Sequence, residues 1–527
     1  MRNKHNPSIS GAVDKRILYY IGLILFAAIL AFYIGNKIGT EENNDLIEIG
    51  LFIIVSLLLA ISRKWLVLTM VVSAFGFIMA PINFKVGPAE MALTFIACFA
   101  VANFWRPGFF GIPKELENFK FYTVCFFVLF IYLIIHSVYN ITFPNNMENI
   151  AWTNLSKTIV ATLIGFTVPW VAIGLARYSQ ITKNPYILLG SILIFGLLTN
   201  IIIRAYGTFV LGIGISENTD ILSVDQASSN VLDIPGIHLY ENMFQLRVIV
   251  PFALLFGVAV LVSKSELAKE WQARLSGISL IFLGFIGAAL SGGRSTLIAP
   301  LIYCALYLMN RRKSYLILLL SFIVLLIALL GRTLYQVNPN YVPLEVQRSL
   351  ALLPFMDMQE AKDSIDSSSD WRYGLFLMSL DDWEQSYRTI MFGRSIYAYT
   401  VTDDEQIKRD PFYGEQFVSM RRGATHNLVT DLLVPYGAVG FLLYFITLFV
   451  LLRSIYALRK RAYNNPTIND FSLMALVMII VSTLSSIIGG QFLSLECGIV
   501  VAMLCLIARN ELVFPIAPQT YPLRIRR

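Results

Sequence analysis

Runs of about twenty apolar residues, separated by short polar breaks, recur along most of the chain, and about 20 such residues span a bilayer as a helix. The pattern predicts membrane helices at roughly 17–35, 46–62, 65–82, 87–104, 121–138, 157–176, 186–204, 246–263, 275–292, 295–310, 314–331, 429–452, 471–488 and 490–508. That makes about 14 transmembrane helices in an all-α polytopic membrane protein. The first run follows a basic N-terminus and lacks a small-residue cleavage site, so it is predicted as a retained span. The breaks alternate in charge. One set carries Arg2, Lys4, Lys15 and Arg16, then Arg63 and Lys64, Arg106, Lys114 and Lys120, Arg177 and Lys183, Lys264, Lys269 and Arg274. It continues with Arg311, Arg312 and Lys313, Arg453, Arg459, Lys460 and Arg461, and Arg509. The other set is acidic or neutral, as at Glu41, Glu42 and Asp45. Cytoplasmic loops hold the excess of lysine and arginine, so both termini are predicted to be cytoplasmic.

Three outer segments stay long: 139–156, 205–245 and 332–425. The chain therefore divides into residues 1–331 with eleven helices, an extracytoplasmic loop at 332–425, and residues 426–527 with three helices and a cytoplasmic tail. Within the loop, Phe376, Leu380, Trp383, Tyr387 and Ile390 recur at helical spacing. Ser367 to Ser369 with Asp370 offers an N-cap region for that helix, and Leu344 to Lys362 reads as another helix. The result is a large helical extracytoplasmic loop.

Composition agrees with a membrane chain: 56% of the 527 residues are hydrophobic and only 14% are charged, against about 25% charged in soluble domains. Mean hydropathy is +0.66. The net charge of +7 sits in the loops between spans, with no basic run interleaved with aromatics, which argues against a nucleic-acid partner and leaves membrane lipids as the surroundings. Cys98, Cys125, Cys304, Cys497 and Cys505 all lie inside apolar runs without metal-ligand spacing, so neither a disulfide framework nor a metal is expected. No GxGxxG or Walker-type loop is present for a nucleotide, and no cofactor is predicted.

The candidate chemistry lies at the predicted outer face. Residues 421–445 run from Arg421, Arg422, His426 and Asn427 straight into an apolar helix. Ionisable groups placed there need a partner, a watered cavity or a function. His426 suits a general base toward a hydroxyl, or else a satisfied interfacial histidine. Arg294 follows Gly292 and Gly293 in the sequence Ser291-Gly-Gly-Arg-Ser-Thr296. Glycines, free amides, a helix N-terminus and a guanidinium together make an anion site fit for phosphate or diphosphate. The plainer alternative is a hairpin whose arginine snorkels to the headgroups. Arg247 opens a span after the second long loop, as an anion ligand or an interfacial anchor. Arg372, at the predicted head of the loop helix, has Asp370 as an alternative partner, and Arg421 and Arg422 have the loop's carboxylates. Asp381 and Asp382, with Asp403, Asp404 and Glu405, read as solvated surface. Glu496, inside the last span, either neutralises an arginine or holds helices together.

In this order the pieces resemble the bacterial O-antigen polymerase and O-antigen ligase superfamily over roughly the second half of the chain. The resemblance rests on Arg247 opening a span, the SGGRSTL turn, the large loop with WRYGLFLMSLDDW and Phe392-Gly-Arg-Ser395, and a His-Asn pair entering a helix with YGAVGF. This chain has Pro435 and Tyr436 where the family often carries an acidic residue. The resemblance implies a metal-independent C-type membrane glycosyltransferase acting on undecaprenyl-diphosphate-linked glycan as donor and acceptor, with a chain-length regulator as a possible partner. Arg294 and Arg247, backed by Arg372, would hold the diphosphate, and His426 would deprotonate the acceptor. Gly292, Gly293, Arg421, Arg422 and Asn427 would complete the substrate site. Polymerisation is favoured over ligation to lipid A-core because the loop is acidic on balance, which would repel a phosphorylated core. A flippase for the same lipid-linked glycan is the rival of another class, but it should show paired halves with ionisable residues near the midplane.

Overall fold

A computed structural model describes residues 78–80, 111–142, 152–176, 184–209, 230–234, 237–240, 243–291, 294–338, 347, 359–393, 416, 419–420, 425–489 and 492–513. The described residues are overwhelmingly helical. A 3-10 turn at Lys114–Phe119 leads into α1 (Lys120–Thr142), followed by α2 (Trp152–Leu175) and α3 (Pro185–Phe209). Next come α4 (Met243–Val262), the short α5 (Glu266–Lys269), α6 (Trp271–Leu290), α7 (Arg294–Asn310) and α8 (Tyr315–Val337). The loop helices are α9 (Gln359–Trp383) and α10 (Tyr387–Phe392), and the chain continues with α11 (Leu428–Arg461), α12 (Pro466–Gly489) and α13 (Leu495–Val513). Ten predicted spans, from 121–138 onward, thus coincide with helices. Among the described residues, six helices are long and apolar enough to cross a membrane, and three shorter apolar helices accompany them. The predicted spans 17–35, 46–62 and 87–104 lie outside the described residues.

One small sheet departs from an all-helical chain. β1 (Ile78–Ala80), β2 (Asn230–Ile234) and β3 (Ile237–Tyr240) are antiparallel in the order β1-β3-β2. β1 occupies the end of the predicted span 65–82, and the β2–β3 pair lies in the predicted outer loop 205–245. Pro235-Gly236 stands between the paired Ile234 and Ile237, a sequence suited to a tight reversal.

The bundle divides its apolar surface in the way a lipid-facing protein does. On α1, Phe121, Val124, Val128, Ile131 and Ile135 are exposed, while Tyr122, Phe126, Leu129 and Leu133 are buried. An apolar stripe of that length would be a liability in water but meets lipid comfortably. Small residues bring the inner helices close. A Cβ on Gly165 of α2 would lie 2.3 Å from the Leu493 carbonyl oxygen, and one on Gly257 of α4 would lie 2.8 Å from the Gly277 oxygen of α6. Dispersion and backbone contact hold such helices together where no hydrophobic drive separates them from lipid.

At the end predicted to be cytoplasmic, a polar staple ties four segments. Asp470 of α12 is fully buried, and its carboxylate accepts hydrogen bonds from Tyr186 of α3 (2.9 Å), Tyr307 of α7 (3.3 Å), Ser263 and Arg311. Ser265 and Thr467 bond beside it at 2.8 Å, and Arg459 of α11 reaches Asn469 and Asn310 at 2.8 and 2.7 Å. Arg311 and Arg459 belong to the basic loops that predict orientation, and in the fold they also fasten helices.

The loop helix differs from its sequence pattern. Helix α9 starts at Gln359 and runs straight through Ser367 to Ser369, so those serines do not cap it and Arg372 lies mid-helix instead of at its head. The helix stops at Trp383, and Ser386 starts α10 with a capping box in which Ser386 and Thr389 satisfy each other's backbone N–H groups. The buried face of α9 carries Leu375, Ser379 and Asp382, while Phe376, Leu380 and Trp383 are only half-buried. Asp382 is therefore interior, not solvated surface; Asp381 beside it is exposed. Helix α9 packs on α11, and the stripe through Leu375, Ser379 and Asp382 is the one that turns inward.

Candidate functional site

His426 immediately precedes the N-cap of α11. Asn427 is the cap, and its side-chain oxygen accepts the Val429 N–H at 2.9 Å. On the other side, Thr425 is buried, and Asp431 accepts both its backbone N–H (2.8 Å) and its hydroxyl (2.6 Å). The Thr425 hydroxyl also lies 2.6 Å from that of Thr430. The residues on both sides of the histidine are thus fastened to the first turn of α11, and His426 closes the gap with φ at 54°. Non-glycine residues enter that left-handed region uncommonly, histidine more often than most. Asp431, an intramembrane carboxylate by sequence, acts here as the strut under His426.

The imidazole is half-buried and meets the indole of Trp371 edge to face, with ring centroids 5.7 Å apart. Trp371 is positioned by α9 and by Gln416, whose side-chain amide donates to the Trp371 carbonyl at 2.9 Å. Gln416 lies over Gly374, where a Cβ would approach its Nε2 to 2.5 Å. The Trp371 Nε1 is buried with no hydrogen-bond partner, which leaves an N–H donor beside the histidine. Arg372 follows on the exposed side of the same turn. Loop helix and membrane helix therefore meet at a His–Trp contact with an arginine next to it.

Arg247 is the fifth residue of α4, and Arg294 is the first residue of α7. Helices α4, α6 and α7 pack together, and Gly287 of α6 sits against Leu246 and Val250 of α4. Ser263 and Arg311, both bonded to Asp470, give a common baseline. Arg247 is 16 residues before Ser263 and Arg294 is 17 before Arg311. At 1.5 Å per residue both arginine backbones stand about 25 Å above the staple, on neighbouring helices. Ser291 caps α6, is buried, and donates its hydroxyl to the Ala288 carbonyl at 2.8 Å. The side chains of Arg247 and Arg294, and Gly292, Gly293, Arg421 and Arg422 as whole residues, lie outside the described residues. Glu496 is buried in the first turn of α13.

Sequence reasoning did not single out Gln416 or Thr425, and it gave Trp371 only as part of the WRYGLFLMSLDDW stretch, without a contact to His426. Their signal was weak: each acts through a partner 6 to 55 residues away. Among the described residues, no group of three or more His, Cys, Asp or Glu side chains converges in a way that would hold a metal. In comparison with known proteins, the chain matches no family model and no curated protein sequence.

Proposed function

We propose that the chain is a membrane glycosyltransferase that polymerises undecaprenyl-diphosphate-linked oligosaccharide units at the outer face of a bacterial inner membrane. The observation that carries this reading is His426, braced from both sides at the mouth of a membrane helix and set against a loop helix bearing Trp371 and Arg372. The sequence resemblance supplies the substrate class. An acceptor hydroxyl attacks the anomeric carbon of the donor, the bond to the diphosphate oxygen breaks, and undecaprenyl diphosphate departs. His426 takes the hydroxyl proton. The diphosphate's charge develops beside Arg294 and Arg247, where a bidentate guanidinium stabilises it better than an ammonium. The leaving group already resides on the donor, so the energy for transfer needs no nucleotide. Direct displacement inverts the anomeric centre. The segment Val337 to Gln416 carries fourteen acidic and seven basic residues, which favours a second lipid-linked glycan over a phosphorylated core as acceptor.

Alanine at Arg294 is expected to abolish product in membranes with normal amounts of protein, and Arg294→Lys to restore it only in part. His426→Ala should lower turnover by roughly 10²- to 10⁴-fold while donor lipid still binds. A strain lacking the protein should carry surface glycan capped with a single repeat unit. Surface core devoid of glycan, with full-length lipid-linked polymer accumulating, would instead identify a ligase.

A further inference from the structure

The structure assigns a positioning role to Tyr132 and His136 of α1: they hold a two-glycine joint through which the loop helices are seated beside His426. The role rests on His426 being the site of transfer. Helix α11 breaks its course at Pro435 to Gly437. Proline has no N–H to donate to the preceding turn, and Gly437 adopts φ 65°, ψ −175°, a region essentially restricted to glycine. Gly393, which ends α10, adopts φ 76°, ψ 178°. The two meet backbone to backbone. A Cβ on Gly437 would lie 2.4 Å from the Gly393 nitrogen and the Met391 carbonyl oxygen, and one on Gly393 would lie 2.4 Å from the Pro435 oxygen.

Two carbonyls at this joint are taken up by the same helix. The Tyr132 hydroxyl donates to the Tyr436 oxygen at 2.7 Å, and His136 Nε2 lies 2.7 Å from the Phe392 oxygen. A carbonyl only accepts, so His136 carries its proton on Nε2. Tyr132 and His136 are one helical turn apart with rings 5.8 Å from each other, and His136 meets the Tyr436 ring edge to face at 5.6 Å. From the joint, the Trp383 indole N–H reaches the Ile390 oxygen at 3.1 Å and so ties α10 to α9.

Two arms then run from this joint to the candidate site. Trp371 to Trp383 along α9 is 12 residues, and His426 to Gly437 is 11. At 1.5 Å per residue these are arms of about 18 and 17 Å. They touch at one end through Gly393 and Gly437 and at the other through Trp371 and His426. A slip at the joint therefore carries Trp371 and Arg372 away from the histidine.

The test uses the full chain in lipid nanodiscs, with nitroxide labels at Asp370 and Tyr456, both exposed. The double variant Tyr132→Phe with His136→Phe should broaden the label distance. Turnover should fall by about tenfold or more, the population change expected from losing buried hydrogen bonds, with the donor KM little altered. His136→Gln, which returns an N–H donor at similar reach, should restore a narrow distance and most of the turnover. A double variant that keeps one narrow distance overturns the joint. A loosened loop with unchanged turnover overturns the positioning role. Absence of product from the unaltered chain counts against glycosyl transfer alone, and the label distance then decides the joint by itself.

Discussion

Asp431 shows how much of the candidate site is set by one residue. Its carboxylate oxygen accepts two hydrogen bonds from Thr425, and through them it fixes where the chain enters His426. Replacing it with leucine leaves the buried Thr425 N–H without an acceptor, an omission that costs about 1–3 kcal/mol. Asp431→Leu should therefore reduce turnover strongly while His426 is still present, and Asp431→Asn, whose side-chain oxygen accepts both bonds, should keep much of it. Equal activity in all three proteins would remove Asp431 from the account of the site. At this scale the sequence was partly legible. A histidine running straight into a span is visible in the sequence, because ionisable groups are costly there. The strut itself was not legible, because it depends on Thr425 folding back over one turn of helix and on the left-handed backbone at His426.

At the scale of elements, apolar runs of sufficient length marked the helices well, since a segment buried in lipid has to satisfy its own backbone. The pattern failed on α9. Its serines suggest a start that the helix runs through, and Asp382 reads as surface in the sequence but is buried, because α9 packs on α11 along a stripe that the apolar spacing alone does not mark. The staple at Asp470 was equally hidden: its donors come from positions 159 to 284 residues away. Arg311 is that carboxylate's only charged partner among the described ion pairs. Breaking a buried pair by removing one member is destabilising by about 3–5 kcal/mol. Arg311→Leu should then lower the thermal midpoint of the detergent-solubilised protein clearly. The paired change Arg311→Leu with Asp470→Leu should recover part of the loss, since no lone charge remains buried. A midpoint unmoved by Arg311→Leu would mean that the hydroxyl donors alone sustain Asp470.

For the whole molecule, the charge alternation predicts the staple on the cytoplasmic side and the loop helices, the Gly393–Gly437 joint and His426 on the outer side. A cysteine introduced at Ser368 should react with a membrane-impermeant thiol reagent from outside the inner membrane. The native thiols described, at Cys125, Cys304, Cys497 and Cys505, are buried and should stay silent. Labelling only after that membrane is permeabilised would invert the scheme. Transfer of sugar between lipid carriers is the central claim, and reconstitution tests it most directly. The purified chain is placed in liposomes with undecaprenyl-diphosphate-linked repeat units and a metal chelator, and the lipid-linked glycans are separated by size. A ladder of two and more repeat units, lost with His426→Ala, is the expected result. Repeat units that cross the bilayer without ever being joined would contradict it and make the chain a transporter.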